Sequence, residues 1–147
     1  TSEYAFQILE SLIEAVDIVG VNYYWNNQWM HGAWTVDVDD VIYRPLSDLL
    51  FEVSARYGRP MLISETGTEG DRRGAWFDYV AAETARARTR GVPVEGICLY
   101  PVADHPGWDD DRMCPNGLLG IDPSNGARSV DPGLAAAIRR SGLVARR

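Results

Sequence analysis

Residues 60–67 read PMLISETG, from Pro60 to Gly67. Three apolar residues and a serine lead into a carboxylate, and Thr66-Gly67 breaks the run at once. So short an apolar stretch, closed by a turn signal, reads as a buried strand rather than a helix. Helical periodicity flanks it. Upstream, PLSDLLFEVSARYG (45–58) opens on Pro45 at the first helical position and closes on Gly58. Downstream, past the loop GTEGD, a helix is expected from about Arg72 to Arg90, ended by Gly91 and Pro93. Further out, DIVGVNYY (17–24) and VEGICLYP (94–101) read as two more short strands. SEYAFQILESLIEA (2–15) sets Ala5, Ile8, Leu9, Leu12 and Ile13 at helical spacing behind Ser2, and DPGLAAAIRRSG forms a last helix.

The order is therefore α-β-α-β-α-β-α, an alternation that argues for a parallel sheet, doubly wound or closed into a barrel. The loops discriminate. Those after the strands, 25–44 and 102–130, are long, aromatic and polar, whereas those leading into the strands are short. A (β/α)₈ barrel carries its function on the loops after its strands, and needs about 250 residues. With 147 residues and three strands this chain cannot close a barrel alone. It begins with Thr1 rather than Met, so a longer protein is expected.

Composition is globular, 46% hydrophobic and 24% charged. The net charge is −7 and all 14 cations are Arg. A net-acidic chain without a basic run is a poor partner for nucleic acid or an anionic membrane. No apolar stretch approaches a membrane span, and no segment reads as a secretory leader. A cytoplasmic location is expected. Cys98 and Cys114 are too few for a disulfide framework, and their spacing suits no zinc site. Cys98, on the third strand, reads as a small buried thiol.

Side chains alternate along a strand, so Gly20, Asn22 and Tyr24 share one face and Val19, Val21 and Tyr23 the other. Asn22 and Tyr24 read either as pocket groups or as a turn former and a core residue. Glu65, at the exit of its strand, is either a nucleophile or base at a barrel mouth, or a solvated loop acid. Pro101 either holds a cis bond that turns Tyr100 to the pocket or is an ordinary trans proline. In the loop beyond lie Asp104, His105 and Trp108, whose flat ring suits a sugar face or simply pins the loop. His31 and Trp34, on the loop after Tyr24, are candidates for substrate contact. Neither His31 nor His105 has a metal partner in the sequence, and no metal or cofactor is expected. Asp109-Asp110-Asp111 reads as a solvated loop.

DIVGVNYY, PMLISETG and GICLYPVADHPGW…NGLLGID, in this order and spacing, resemble the last three strand ends of family 1 glycoside hydrolases, retaining β-glycosidases on the (β/α)₈ fold. The family's sixth strand reads D-F-x-G-x-N-Y-Y, matched by Asp17 to Tyr24. Its seventh reads I-T-E-N-G, matched by Ile63 to Gly67 with two substitutions. Its eighth reads W-S-L-x-D-N-F-E-W with a cis Trp-Ser bond, which falls here on Tyr100-Pro101. The resemblance covers roughly residues 5–122. It implies that the chain is the C-terminal part of a barrel, strands six to eight, lacking its N-terminal half. It also implies that Glu65 is the nucleophile, that Tyr24 hydrogen-bonds it, that Asn22 lies near the leaving-group side and that Trp108 stacks on the sugar. The chain departs from the pattern at Gly107, which replaces the Glu that grips the outer hydroxyls of the glycone.

A retaining glycosidase uses two carboxyl groups about 5–5.5 Å apart, one attacking the anomeric carbon and one serving as acid and base. The family's acid/base sits in an Asn-Glu-Pro tripeptide on the fourth strand, and no such tripeptide occurs here. Asp104, Glu69 and Asp71 are the only nearby substitutes, and poor ones. The expected function is retaining hydrolysis of β-glycosides through a glycosyl-Glu65 intermediate, in a protein longer than this chain, with the isolated chain inactive. The alternatives are a non-catalytic carbohydrate-binding barrel and another two-carboxylate barrel hydrolase acting on cellulose- or mannan-type chains. A nucleotide-binding protein is disfavoured, because no strand is followed by G-x-G-x-x-G or a P-loop.

Overall fold

The computed structural model describes residues 15–32, 34–122 and 124–142. The helix expected over 2–15 lies outside the described residues, apart from Ala15. Three parallel strands form the main sheet in the order β1 (Val19–Asn22), β2 (Met61–Thr66), β3 (Val94–Leu99). Helix α1 (Leu46–Tyr57) joins the first pair and α2 (Arg73–Thr89), entered through a 3₁₀ turn at Gly70–Arg72, joins the second. The last helix, α3 (Pro132–Ser141), packs on α2. Parallel strands with helical crossovers are the α/β architecture that the alternating pattern implies.

Pro45 stands one place earlier than the sequence suggests, as the N-cap of α1 with an extended backbone. Gly58 ends that helix in the left-handed region at φ 60°, where a side chain is disfavoured. Leu46 and Leu50 of α1, Met61 and Ile63 of β2, and Val80 and Ala87 of α2 are fully buried and make one core. Phe77, Leu134 and Ala137 make a second between α2 and α3.

The segment 102–130 is not a featureless loop. It holds two antiparallel ribbons, β4 (His105–Pro106) with β5 (Met113–Cys114), and β6 (Leu119–Ile121) with β7 (Arg128–Val130). Arg73 ties this region to the start of α2. Its guanidinium donates to Gly70 O, Gly117 O and Asp131 Oδ2, each at 2.8 Å. Asp131 in turn caps α3 by accepting from Leu134 N at 2.7 Å.

A phenol chain fixes the loop after β1. The Tyr23 and Tyr43 hydroxyls lie 2.9 Å apart, and Tyr43 and Tyr79 2.7 Å apart. Gln28 closes the chain by donating to the Tyr23 hydroxyl at 3.1 Å and to Arg44 O at 2.7 Å. Tyr23 also stacks on Trp76 at 5.7 Å between centroids.

The opposite face of the sheet is open. Gly20 lies against Ser64, and Gly96 against Leu62, on this side. Cys98, expected to be buried, is exposed. Its neighbours in β3, Ile97 and Leu99, pack on the helix side, and no described strand covers the face between them. Cys114 is buried, and both thiols are free.

Candidate active site

Glu65 reaches the open face because β2 is irregular. Strict alternation from buried Met61 and Ile63 would turn it toward the helices. The register instead shifts: Val21 pairs with Ile63, but Asn22 pairs with Glu65, and on the other edge Ile63 and Thr66 pair with Ile97 and Leu99. The bulge places the consecutive side chains of Ser64 and Glu65 on one face, while Thr66 turns back to accept from the Trp76 indole at 2.9 Å.

On that face the side chains form a relay. Ser64 Oγ donates to Asn22 Oδ1 at 2.7 Å, which fixes the amide so that Asn22 Nδ2 donates to Glu65 Oε2 at 2.8 Å. Tyr24 hydrogen-bonds the same carboxylate. Burial raises the Tyr24 phenol well above its ordinary value, and the Glu65 hydrogen bond and charge raise it further. The hydroxyl is therefore held in its protonated, donating form. Two neutral donors, Asn22 and Tyr24, thus orient one half-buried carboxylate at a strand's C-terminal end.

Past Tyr24 opens a cavity of about 500 Å³ walled by Tyr24, Trp25, Glu69, Arg72, Tyr100 and Asn116, while Glu65 and Asn22 lie outside its lining. The Tyr100-Pro101 bond is cis. A smaller cavity of about 330 Å³ continues past Tyr100 to His105 and Trp108, sharing Glu69 and Asn116 as walls. Trp108 is 86% exposed there. The His105 ring lies 6.1 Å from Tyr100, with Nδ1 2.6 Å from Pro106 O and Nε2 3.3 Å from Asn116 Nδ2. Its Nδ1 carries the proton and its Nε2 accepts, an orienting role within the loop. No side chain stands at Gly107, but the Asp110 carboxylate occupies the place where one would begin.

The structure therefore brings Asn22, Tyr24, Glu65 and Tyr100 together, with Trp108 at the far end of the trough. It does not bring His31 or Trp34 into either cavity. Both are exposed, and His31 lies against Trp29. Among the described residues no group of three or more His, Cys, Asp or Glu is placed to hold a metal ion.

None of the three substitute acids suits proton donation. Asp104 is buried and accepts from Gly117 N at 2.8 Å, which pins the loop. Asp71 borders a separate cavity between α2 and α3. Glu69 accepts two hydrogen bonds from Arg112, both 2.9 Å, and these hold its carboxyl below the usual range against the opposing effect of burial. Its contribution to stability is therefore complete above the ordinary carboxylate value, shrinks as pH falls below it, and is gone under the lowered value. Amide exchange at Gly107, whose N–H bonds Arg112 O at 2.8 Å, should lose protection in that acid window. Glu69→Gln should remove this pH dependence. Equal profiles in the two proteins would show that the pair does not hold the ribbon.

Sequence reasoning missed Ser64 and Arg72. Ser64 reaches the open face by ordinary alternation, but its bond to Asn22 depends on the pairing of β1 with β2, which the sequence of β2 alone does not mark. The Arg72 guanidinium stacks on Trp25 at 5.0 Å, a cation–π contact for which a strand-end reading has no signal.

A β-glycosidase from Thermosphaera aggregans superposes on 87% of the chain with a TM-score of 0.66 at 20% identity. A family 1 β-glucosidase from Thermotoga maritima superposes on 89% with a TM-score of 0.65 at 18% identity. The resemblance holds at the level of the fold. The solved neighbours are barrel glycosidases, and the chain's parallel strands and helices follow theirs. Among curated proteins, the chloroplastic galactolipid galactosyltransferase SFR2 of Arabidopsis thaliana is 28% identical over 97% of the chain. No family model matches. The chain spans 26% of the length of that relative, and 32% and 36% of the two solved chains.

Proposed function

We propose that this chain is the C-terminal part, strands six to eight, of a (β/α)₈ protein that cleaves β-glycosides with retention, and that Glu65 is its nucleophile. The observation that carries the reading is the Ser64–Asn22–Glu65 relay at the bulged strand end, with Tyr24 as second donor. Such an array aims a carboxylate, as attack on an anomeric carbon requires. The acid/base comes from strands outside this chain, because Glu69 and Asp104 are committed to structural bonds. The open face formed by Gly20, Asn22, Ser64 and Cys98 is where those strands pack. The isolated 147-residue chain is accordingly expected to be inactive.

The name of the curated relative favours a second reading for the later step. A glycosyl-Glu65 intermediate is released by water or by a sugar hydroxyl, so the same site serves transfer as well as hydrolysis. The relative is named a galactosyltransferase.

Trapping tests the shared first step. A 2-deoxy-2-fluoro glycoside with a good leaving group slows both oxocarbenium-like steps but speeds departure, so the intermediate accumulates. Incubation of the full-length polypeptide with the fluoroglucoside and fluorogalactoside should add one fluoroglycosyl mass to the tryptic peptide 57–72. That peptide contains both Glu65 and Glu69, and fragment ions should place the label on Glu65. A label on another residue, or turnover without any adduct, would overturn the assignment.

A further inference from the structure

We propose that Gly20 and Ser64 are positioning residues for the chemistry at Glu65: the space left by the missing side chain of Gly20 lets the Ser64 hydroxyl stand where it holds the Asn22 amide. The inference rests on the glycosidase reading above and deepens it. Register brings the residues together. Gly20 pairs with Leu62 and Asn22 with Glu65, and Ser64 falls in the register shift just before that second pair. Gly20 and Asn22 share the open face of β1, so Ser64 has the glycine behind it and the amide ahead.

Space decides what Ser64 does there. A methyl group on Gly20 would come within 2.8 Å of Ser64 Oγ and 3.2 Å of its Cβ. The second contact asks its neighbour to give slightly, whereas the first forces the hydroxyl to leave. Oγ ends a short side chain, and turning to another staggered rotamer carries it about 2 Å away. That turn relieves the clash at little cost in stability. It also takes the donor off Asn22 Oδ1, which Ser64 now reaches at 2.7 Å.

The lost bond matters because of what Asn22 does. Its amide is exposed and held at both ends, Oδ1 by Ser64 and Nδ2 by Glu65 Oε2 at 2.8 Å. With Ser64 turned away, the amide is pinned only by the carboxylate it has to aim. Glu65 then keeps a single anchored donor, Tyr24. Attack on a bound sugar loses rate steeply when the reacting group is misaimed, even where binding is untouched.

The test follows the rate at which the 2-deoxy-2-fluoro glycosides label Glu65 in the full-length polypeptide, because rate and extent of labelling separate aim from folding. Ser64→Ala should lower the rate constant about 10- to 100-fold, keep the half-saturating concentration within about threefold, and still reach full labelling. Gly20→Ala should do the same with a urea midpoint close to that of the wild type, since only a hydroxyl has turned. Combined in one chain, the two should cost no more than either alone, as residues acting through one hydrogen bond do. Ser64→Thr, which keeps the hydroxyl, should label at nearly the wild-type rate. Wild-type rates in Ser64→Ala or Gly20→Ala would overturn the proposal and leave the glycosidase reading intact. So would slower labelling that tracks a smaller folded fraction, full additivity in the double variant, or a Ser64→Thr protein as slow as Ser64→Ala. A wild type that never labels would overturn both readings.

Discussion

Glu65→Gly in the full-length polypeptide should lower β-glycoside turnover by about 10⁴-fold or more, the scale of loss when a covalent nucleophile is removed. Azide should restore part of it, and the stereochemistry of the product identifies the lost group. With the nucleophile gone, azide enters the vacated space and attacks the same face of the sugar. One displacement then gives an α-glycosyl azide. Had Glu65 been the acid/base, azide would instead intercept the glycosyl-enzyme from the other side and give the β product. Glu52→Gly is the control, because that carboxylate is exposed on α1, paired with Arg44, and lines neither cavity. Its loss should leave turnover within a few-fold of normal. The binding-module reading predicts otherwise: no turnover before the change, and Glu65→Gln retaining its ligand affinity. Unchanged turnover in Glu65→Gly would remove Glu65 from the chemistry altogether.

How far the sequence reveals such a site depends on what sets each feature. Strands and helices follow from local rules. The apolar run at 61–63 and the helical spacing of Leu46, Leu50 and Val53 need no tertiary information, and all appear where expected. Glu65 is different. Alternation from Ile63 would have sent it to the helices, and only the one-residue bulge against β1 and β3 brings it beside Asn22. Nothing in ISETG marks the bulge, because its cause is pairing with two other strands. The ribbons at 105–114 and 119–130 were illegible for a related reason. Two- and three-residue strands are too short for a period, and Asp104, Arg73 and Arg128 hold them from a distance. Cys98 misled in the opposite direction. Its apolar run implies burial, but among the described residues no element covers the face it lies on. The tyrosine chain Tyr23–Tyr43–Tyr79 joins residues 20 and 36 apart, and each phenol alone reads as an ordinary amphipathic side chain.

The second large effect is on stability, and it separates two glycines that look alike on distance alone. A methyl at Gly67 would lie well inside 3.0 Å of the Tyr100 carbonyl oxygen. A methyl at Gly107 would lie equally close to Asp110 Oδ1. The obstacles differ in how they can yield. Tyr100 O belongs to a backbone fixed on both sides, since Tyr100 N donates to Thr66 O at 2.9 Å and Leu99 pairs with Thr66. Relief requires parting β2 from β3 beside Glu65. Asp110 ends in an exposed carboxylate that can turn toward solvent, giving up a 3.2 Å contact with Arg112 N. Gly67→Ala should therefore cost about 3 kcal/mol, the upper range for overpacking a filled site. Gly107→Ala should cost less than about 1 kcal/mol. Urea unfolding of the full-length protein measures both, with the slope checked so that a midpoint shift reports stability alone. Equal costs would mean that the sheet's exit at Glu65 is softer than its hydrogen bonds imply. A large loss at Gly67 alone would show that the strand end carrying Glu65 is set by the close passage of two backbones, a contact only glycine permits.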